Sequence, residues 1–223
     1  MPQKLGKKIL IYSFVLIIFG TFNNQKFSGQ NFFEIKNFVI ETTENTNFLE
    51  IPDKLFSLKK LNIFLINKKK IREIIEANSL VESYFIKKKY PSEIKIKIIQ
   101  TKFVSKVKIN KKNFLVGTNG KLIEDLNNIN DLPFIFGKPS IKQILDLNNI
   151  IQNSKFNYYE FSNLFYYKSG RWDLESRDGF IIKLPAENLS QKLEEIYDIV
   201  SNKNFAYKKI IDARVTNQII LYD

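Results

Sequence analysis

Chemistry needs nucleophiles, acids and bases in suitable company, and this sequence is short of all three. It contains no cysteine and no histidine, which removes thiol nucleophiles, disulfides, Cys/His zinc sites and imidazole acid–base catalysis together. Paired carboxylates are the remaining route to general acid–base work. Asp173, Glu175 and Asp178 are close in sequence, but they read as solvent-facing acids at the end of a hairpin. The stretch Gly117-Thr118-Asn119-Gly120-Lys121 resembles the tail of a phosphate-binding loop, yet it lacks the spacing between glycines and the hydroxyl residue after the lysine. A hairpin turn explains it better. The single tryptophan, Trp172, stands beside Leu174 in a predicted strand and reads as a core anchor rather than a ligand platform. The expectation is therefore no catalytic site, no metal, no cofactor and no small-molecule substrate.

The charge balance points the same way. There are 35 Lys and Arg against 23 Asp and Glu, a net charge of +12, which suits an anionic partner in general. Only Arg72, Arg171, Arg177 and Arg214 are arginines, whereas bidentate reading of phosphates and bases favours arginine over lysine. The lysines are spread along the chain with many Ile and Asn residues, so nucleic acid is not the expected partner. At 223 residues and 44% hydrophobic, the chain has enough apolar material for one sizeable fold or two small ones.

Residues 1–8 carry Lys4, Lys7 and Lys8 without an acid, and residues 9–22 form an uncharged apolar run. Fourteen helical residues span only about 21 Å. Snorkelling of Lys7 and Lys8 and a thinned bilayer bring the segment near the lower limit for a span. An uncleaved signal anchor is the favoured reading; a cleaved secretory signal and a buried soluble helix are the alternatives. The amino-terminal lysines place residues 1–8 in the cytoplasm and the rest across the membrane, in a bacterium the periplasm.

The exported part must supply its own scaffold. A strand is expected over 33–41, a helix around 48–58 with Pro52 near its start, and a second helix N-capped by Asn67 and closed by a left-handed Asn78. Strands over 81–90 and 93–101 follow, the latter with Ile94, Ile96 and Ile98 alternating with Lys95 and Lys97. Beyond residue 102 come strands at 104–109, 113–118 and 121–124, the last two around a type I′ turn at Asn119-Gly120. Next are a strand at 132–137, a helix over 140–153, a meander of strands at 163–168, 171–175 and 180–184, a helix over 187–201, and closing strands at 209–214 and 218–222.

The order strand, helix, helix, strand, strand is that of a POTRA module, and with what surrounds it the chain resembles the bacterial FtsQ/DivIB division family. The closing POTRA strands read Lys89-Tyr90-Pro91-Ser92-Glu93-Ile94-Lys95-Ile96. The second region is similar to the family's β-domain at Phe114 to Leu122, Leu132-Pro133-Phe134-Ile135-Phe136-Gly137, Arg171-Trp172-Asp173-Leu174 with Asp178-Gly179, and Ile210-Ile211-Asp212-Ala213-Arg214. The resemblance implies an α+β chain: cytoplasmic tail 1–8, transmembrane anchor 9–22, POTRA domain 32–101, and a mostly antiparallel β-domain 102–223 with two helices. It implies a non-enzymatic divisome scaffold at the septal inner membrane, binding FtsB-like and FtsL-like proteins in the periplasm and helping to regulate septal peptidoglycan synthesis. By that resemblance Arg214, Val215, Asn217, Ile219, Ile220, Leu221 and Tyr222 are the partner-binding candidates, acting by β-strand addition. Two readings stay open: the last strand merely completes a sheet, or the chain is a POTRA-containing component of an outer-membrane assembly or secretion system.

Overall fold

The computed structural model describes residues 5–21, 33–43, 53–126, 128–201, 209–215 and 218–223. They form two compact units. One comprises Met1–Glu41, Glu50–Ile75 and Tyr84–Lys97; the other comprises Thr42–Leu49, Glu76–Ser83 and Ile98–Asp223.

The first unit opens with helix α1 (Leu5–Thr21), 17 residues long. The expected apolar run thus becomes helical from Leu5, and Phe22 lies outside the described residues. No helix among the described residues is long and apolar enough to cross a membrane. Strand β1 (Asn37–Thr42) follows, four residues later than the expected strand start, with only an isolated bridge from Glu34 to Asn62 before it. Helix α2 is a single turn (Asp53–Phe56), and the expected start of that helix, including Pro52, lies outside the described residues.

Helix α3 (Lys68–Glu76) begins as expected, with the Asn67 carboxamide oxygen accepting from the Lys69 N–H at 2.9 Å. It closes differently. Asn78 is not left-handed; its side-chain oxygen instead accepts from the Leu80 N–H at 2.9 Å, the local turn that short polar side chains offer the backbone. Strands β2 (Val81–Lys89) and β3 (Glu93–Gln100) turn at the cis Tyr90–Pro91 peptide, and the three strands are ordered β1-β3-β2. The predicted period-2 alternation holds in the central strand, with Ile94 and Ile96 fully buried. They share the core of this unit with Ile35, Leu55, Leu58, Ile63, Ile71 and Ile75.

The second unit holds a nine-stranded sheet, ordered β12-β11-β10-β9-β8-β7-β4-β5-β6 among the described residues. Its strands are β4 (Phe103–Ile109), β5 (Lys112–Gly117), β6 (Leu122–Glu124), β7 (Phe134–Phe136), β8 (Phe161–Tyr166), β9 (Trp172–Ser176), β10 (Ile181–Lys183), β11 (Ile210–Asp212) and β12 (Ile220–Tyr222). Helix α4 (Ile141–Gln152) stands between β7 and β8, and helix α5 (Leu189–Val200) between β10 and β11. The predicted meander β8-β9-β10 is antiparallel. The pairs on either side of each helix, β7 with β8 and β10 with β11, are parallel, as is β4 with β7, as expected where a helix carries the chain back along a sheet.

Helix α4 starts from a full capping box: the Ser140 hydroxyl accepts from the Gln143 N–H, and the Gln143 side chain accepts from the Ser140 N–H. Its Ile144, Leu147 and Ile151 pack in one core with Leu193 and Ile196 of α5 and with Ile135, Leu164, Leu174, Ile182 and Ile211 of the sheet. Trp172 belongs to this core, as its neighbours in sequence suggested.

The turns correct one expectation. The type I′ hairpin is not at Asn119-Gly120, where only Gly120 takes a positive φ, 75°. It is the two-residue connection Asn110-Lys111 between β4 and β5, with φ of 48° and 69° and the strands closing on the pair Ile109 with Lys112. Asn119 is recruited elsewhere: its side-chain amide donates to the carbonyls of Ser79 (2.8 Å) and Val81 (2.9 Å). A lysine in the left-handed region is strained, so Lys111→Gly is expected to stabilise the protein by about 0.5–1 kcal/mol. A thermal melt checks this; a lowered midpoint would contradict the turn geometry.

Candidate partner-binding edge

The six candidates of the carboxyl terminus other than Asn217 lie among the described residues; Asn217 lies outside them. Strand β12 pairs with β11 in antiparallel register, Ile210 with Tyr222, Ile211 with Leu221 and Asp212 with Ile220. It is the terminal strand of the sheet among the described residues. Among the described residues no strand pairs with its other edge, and a sheet edge offers backbone donors and acceptors to an incoming strand.

Registers across six strands sort the side chains of this half of the sheet. Ile135, Leu164, Leu174, Ile182, Ile211 and Leu221 are in one line and join the helix-covered core. The opposite face carries two lines that end on β12. One runs Phe134, Asn163, Glu175, Ile181, Ile210, Tyr222; the other runs Phe136, Phe165, Asp173, Lys183, Asp212, Ile220. Ile219 and Leu221 therefore brace the strand against the core, whereas Ile220 and Tyr222 show their side chains on the face away from the helices. Val215 is exposed in the connection.

Arg214 does not wave free. Its Nε donates to Oδ1 and Oδ2 of Asp212 at 2.7 and 3.0 Å, its Nη2 donates to Oδ2, and its backbone N–H donates to Oδ1 at 3.2 Å. Asp212 is 5% exposed, and the Arg214 guanidinium holds its carboxyl below the usual aspartate value, with the Lys183 ammonium adding to the effect. The same contact raises Arg214. A second Arg/Asp pair two residues apart stands at the start of β9: Arg171, just before the strand, has Nε 3.5 Å from Asp173 Oδ1, its guanidinium lies 4.4 Å from the Tyr167 ring centre, and the Tyr167 hydroxyl donates to Asp173 Oδ2 at 3.1 Å. Burial, and then the Asp173 charge, raises Tyr167.

Asp173 is thus buried, not the solvent-facing acid expected from its neighbours. Sequence reasoning missed this ladder of Asp173, Lys183 and Asp212. The usable signal was the repeated Arg/Asp pair two residues apart, which places both side chains on one face of a strand.

Asp212 also sets a pH dependence. Its folded value lies below its unfolded value, so its contribution is complete above about pH 4, the ordinary carboxylate range, and is lost as pH falls toward the folded value. Asp212→Asn is expected to flatten this part of the acid limb in stability measured by urea unfolding. An unchanged limb would remove Asp212 from the account.

Two family models match the chain, one over each of its two regions. Residues 107–214 match the family model described as "Cell division protein FtsQ/DivIB, C-terminal", and residues 33–99 match "POTRA domain, FtsQ-type". The chain belongs to the FtsQ/DivIB family. Among curated relatives, the cell division protein FtsQ of Rickettsia bellii is 26% identical over 190 residues, covering 83% of this chain and 71% of that protein. FtsQ of Rickettsia typhi is 23% identical over 192 residues with the same coverage. A solved structure of the major extracytoplasmic domain of DivIB from Geobacillus stearothermophilus aligns with a TM-score of 0.36 at 15% identity, over 47% of this chain and 95% of that one. The FtsQ/DivIB match ends at Arg214; beyond it, Ile220–Tyr222 form the strand paired with β11. Among the described residues no cluster of three or more acidic side chains is arranged to hold a metal ion.

Proposed function

We propose that this cell division protein is a membrane-anchored, non-enzymatic divisome scaffold that binds FtsB-like and FtsL-like proteins by accepting a strand along β12, and thereby helps regulate septal peptidoglycan synthesis. One observation carries the reading: among the described residues β12 is the last strand of the nine-stranded sheet, paired on one side with β11. Main-chain hydrogen bonds would supply affinity, and Ile220 and Tyr222 would supply the side-chain surface on one face.

The anchor is helix α1. Its 17 residues rise about 26 Å, a few ångströms short of a ~30 Å hydrocarbon core, a mismatch that thinning and snorkelling by Lys7 and Lys8 absorb. What supports it is the exposure of its apolar residues on every side, Leu10, Tyr12, Leu16 and Phe19 included. The carboxyl-terminal domains would then be periplasmic, with the POTRA module 32–101 in front of the β-domain 102–223.

Purification of the full chain from membranes, followed by mass spectrometry of bound proteins, tests the reading. FtsB-like and FtsL-like proteins in the eluate are expected; a full chain recovered in the soluble fraction without them would overturn it.

A further inference from the structure

The first unit carries an apolar protrusion that the proposed function does not use. Between α2 and α3 the chain makes a tight turn in which Leu65 and Ile66 both donate to the Asn62 carbonyl, at 3.1 and 3.0 Å, and Phe64 donates to the Asn62 side-chain oxygen at 2.9 Å. The turn buries Ile63 and Ile66 and leaves Phe64 53% and Leu65 83% exposed. Phe64 is held from two sides: its ring stacks on Tyr90 with centroids 4.6 Å apart and meets the edge of Phe33 at 4.9 Å. Both neighbours are themselves exposed. Three aromatic rings and a leucine thus form a braced tip in a region where burial would be the ordinary fate of such residues.

Lysines surround it. Residues 59–72 contain Lys59, Lys60, Lys68, Lys69, Lys70 and Arg72 and no acid, and residues 84–92 contain Lys87, Lys88 and Lys89 and no acid. The two stretches meet at the tip, where the Lys88 ammonium donates to the Ile66 carbonyl at 3.1 Å and Tyr90 stacks on Phe64. Two acids border it: Glu34, which follows Phe33 and is bridged to Asn62, and Glu93, which pairs with Lys89 at 3.2 Å. Aromatic and leucine side chains projecting from a lysine collar match a headgroup boundary, in which apolar tips enter the acyl region and ammonium groups meet lipid phosphates.

The tip is also tethered close to a bilayer if α1 is the anchor. Phe33, one of its three rings, follows Thr21 after eleven intervening residues, a length of chain that reaches no more than about 42 Å fully extended. We propose that the Phe33–Phe64–Leu65–Tyr90 tip docks on an anionic phospholipid bilayer, holding the first unit against the membrane surface. This rests on the anchored reading of α1, and it assigns the lysine excess of this unit to lipid phosphates.

The absence of native cysteine makes the test direct. The full chain, carrying Leu65→Cys with an environment-sensitive fluorophore, is reconstituted into vesicles of phosphatidylethanolamine and phosphatidylglycerol, with and without brominated acyl chains. A parallel sample carries the label at Phe14→Cys in α1. The expected result is blue-shifted emission and brominated-lipid quenching at both positions. At position 65, quenching should fall roughly twofold or more in phosphatidylcholine vesicles and in the Lys68→Glu/Lys69→Glu/Lys70→Glu variant. That variant places acids in the first turn of α3, where the helix tolerates them. Quenching at 14 without quenching at 65 overturns the docking tip and leaves the anchor standing. Quenching at neither position overturns both. Quenching at 65 that is indifferent to lipid charge and to the glutamates overturns the assignment to anionic lipid.

Discussion

Proline in place of Ile220 is expected to weaken binding of an FtsB-like partner by roughly 100-fold, about 2.8 kcal/mol, while the protein itself stays folded. An incoming strand would add its ladder to the free side of β12, and each cross-strand hydrogen bond contributes on the order of 1 kcal/mol net. A proline ring removes one N–H and bends the short strand out of register, so two or three bonds go together. The fold loses less. Strand β12 lies at the rim of the sheet among the described residues, where proline is tolerated, and local distortion of this three-residue strand, on the order of 1 kcal/mol, shifts the melting midpoint of a chain of this size by about 2–4 °C. A charged residue at the same position, Ile220→Lys, lies directly across from Asp212 and should act in the same direction by placing an ammonium where the incoming strand would desolvate it. Titration of the folded variants against the partner's extracytoplasmic segment is the measurement. Wild-type affinity in both would sink the edge-strand assignment.

The second large effect is on folding. Gly137 follows β7 with φ of 99°, a region that L side chains avoid, and a Cβ there would fall 2.3 Å from the Tyr166 carbonyl oxygen. That oxygen belongs to β8, the parallel neighbour whose Phe165 is paired with Phe136. Backbone cannot rotate aside as a long side chain can, so Gly137→Ala must part β7 from β8 or distort the turn. Unfavourable φ costs about 1–2 kcal/mol, and the disrupted pairing raises the total to about 3–5 kcal/mol, a fall in melting midpoint of about 10 °C. Gly179→Ala is the control. Its φ is 89° but nothing lies within 4 Å of the added Cβ, so only the conformational penalty of about 1–2 kcal/mol applies. Equal melting of the two variants would mean that the approach of Tyr166 does not matter.

Both predictions concern features whose partners are distant in sequence, and this divides what could be read beforehand from what could not. The isoleucine alternation of β3, the helix start at Ser140, the apolar stripe of α5 and the Asp178-Gly179 turn after β9 are written in residues within one or two turns of each other. Periodicity and capping chemistry act over that range, so these elements were legible. The left-handed turn was misplaced for a reason of the same kind. Asn119-Gly120 has the better local chemistry, but Ser79 and Val81, some forty residues away in sequence, recruit the Asn119 side chain, and the positive φ pair falls to Asn110 and Lys111 instead.

By itself the sequence determined the class of molecule: a chain without thiol or imidazole chemistry, rich enough in apolar residues to fold, and carrying the strand and helix order of the FtsQ/DivIB family. Tertiary structure alone decided which strand ends the sheet, that Asp173 and Asp212 are buried beside their arginines, and that Phe64 and Leu65 protrude. An edge, a buried carboxylate and an exposed aromatic are each defined by what lies across a fold rather than along a chain. Local propensity carries no term for a neighbour that loop closure has yet to bring near.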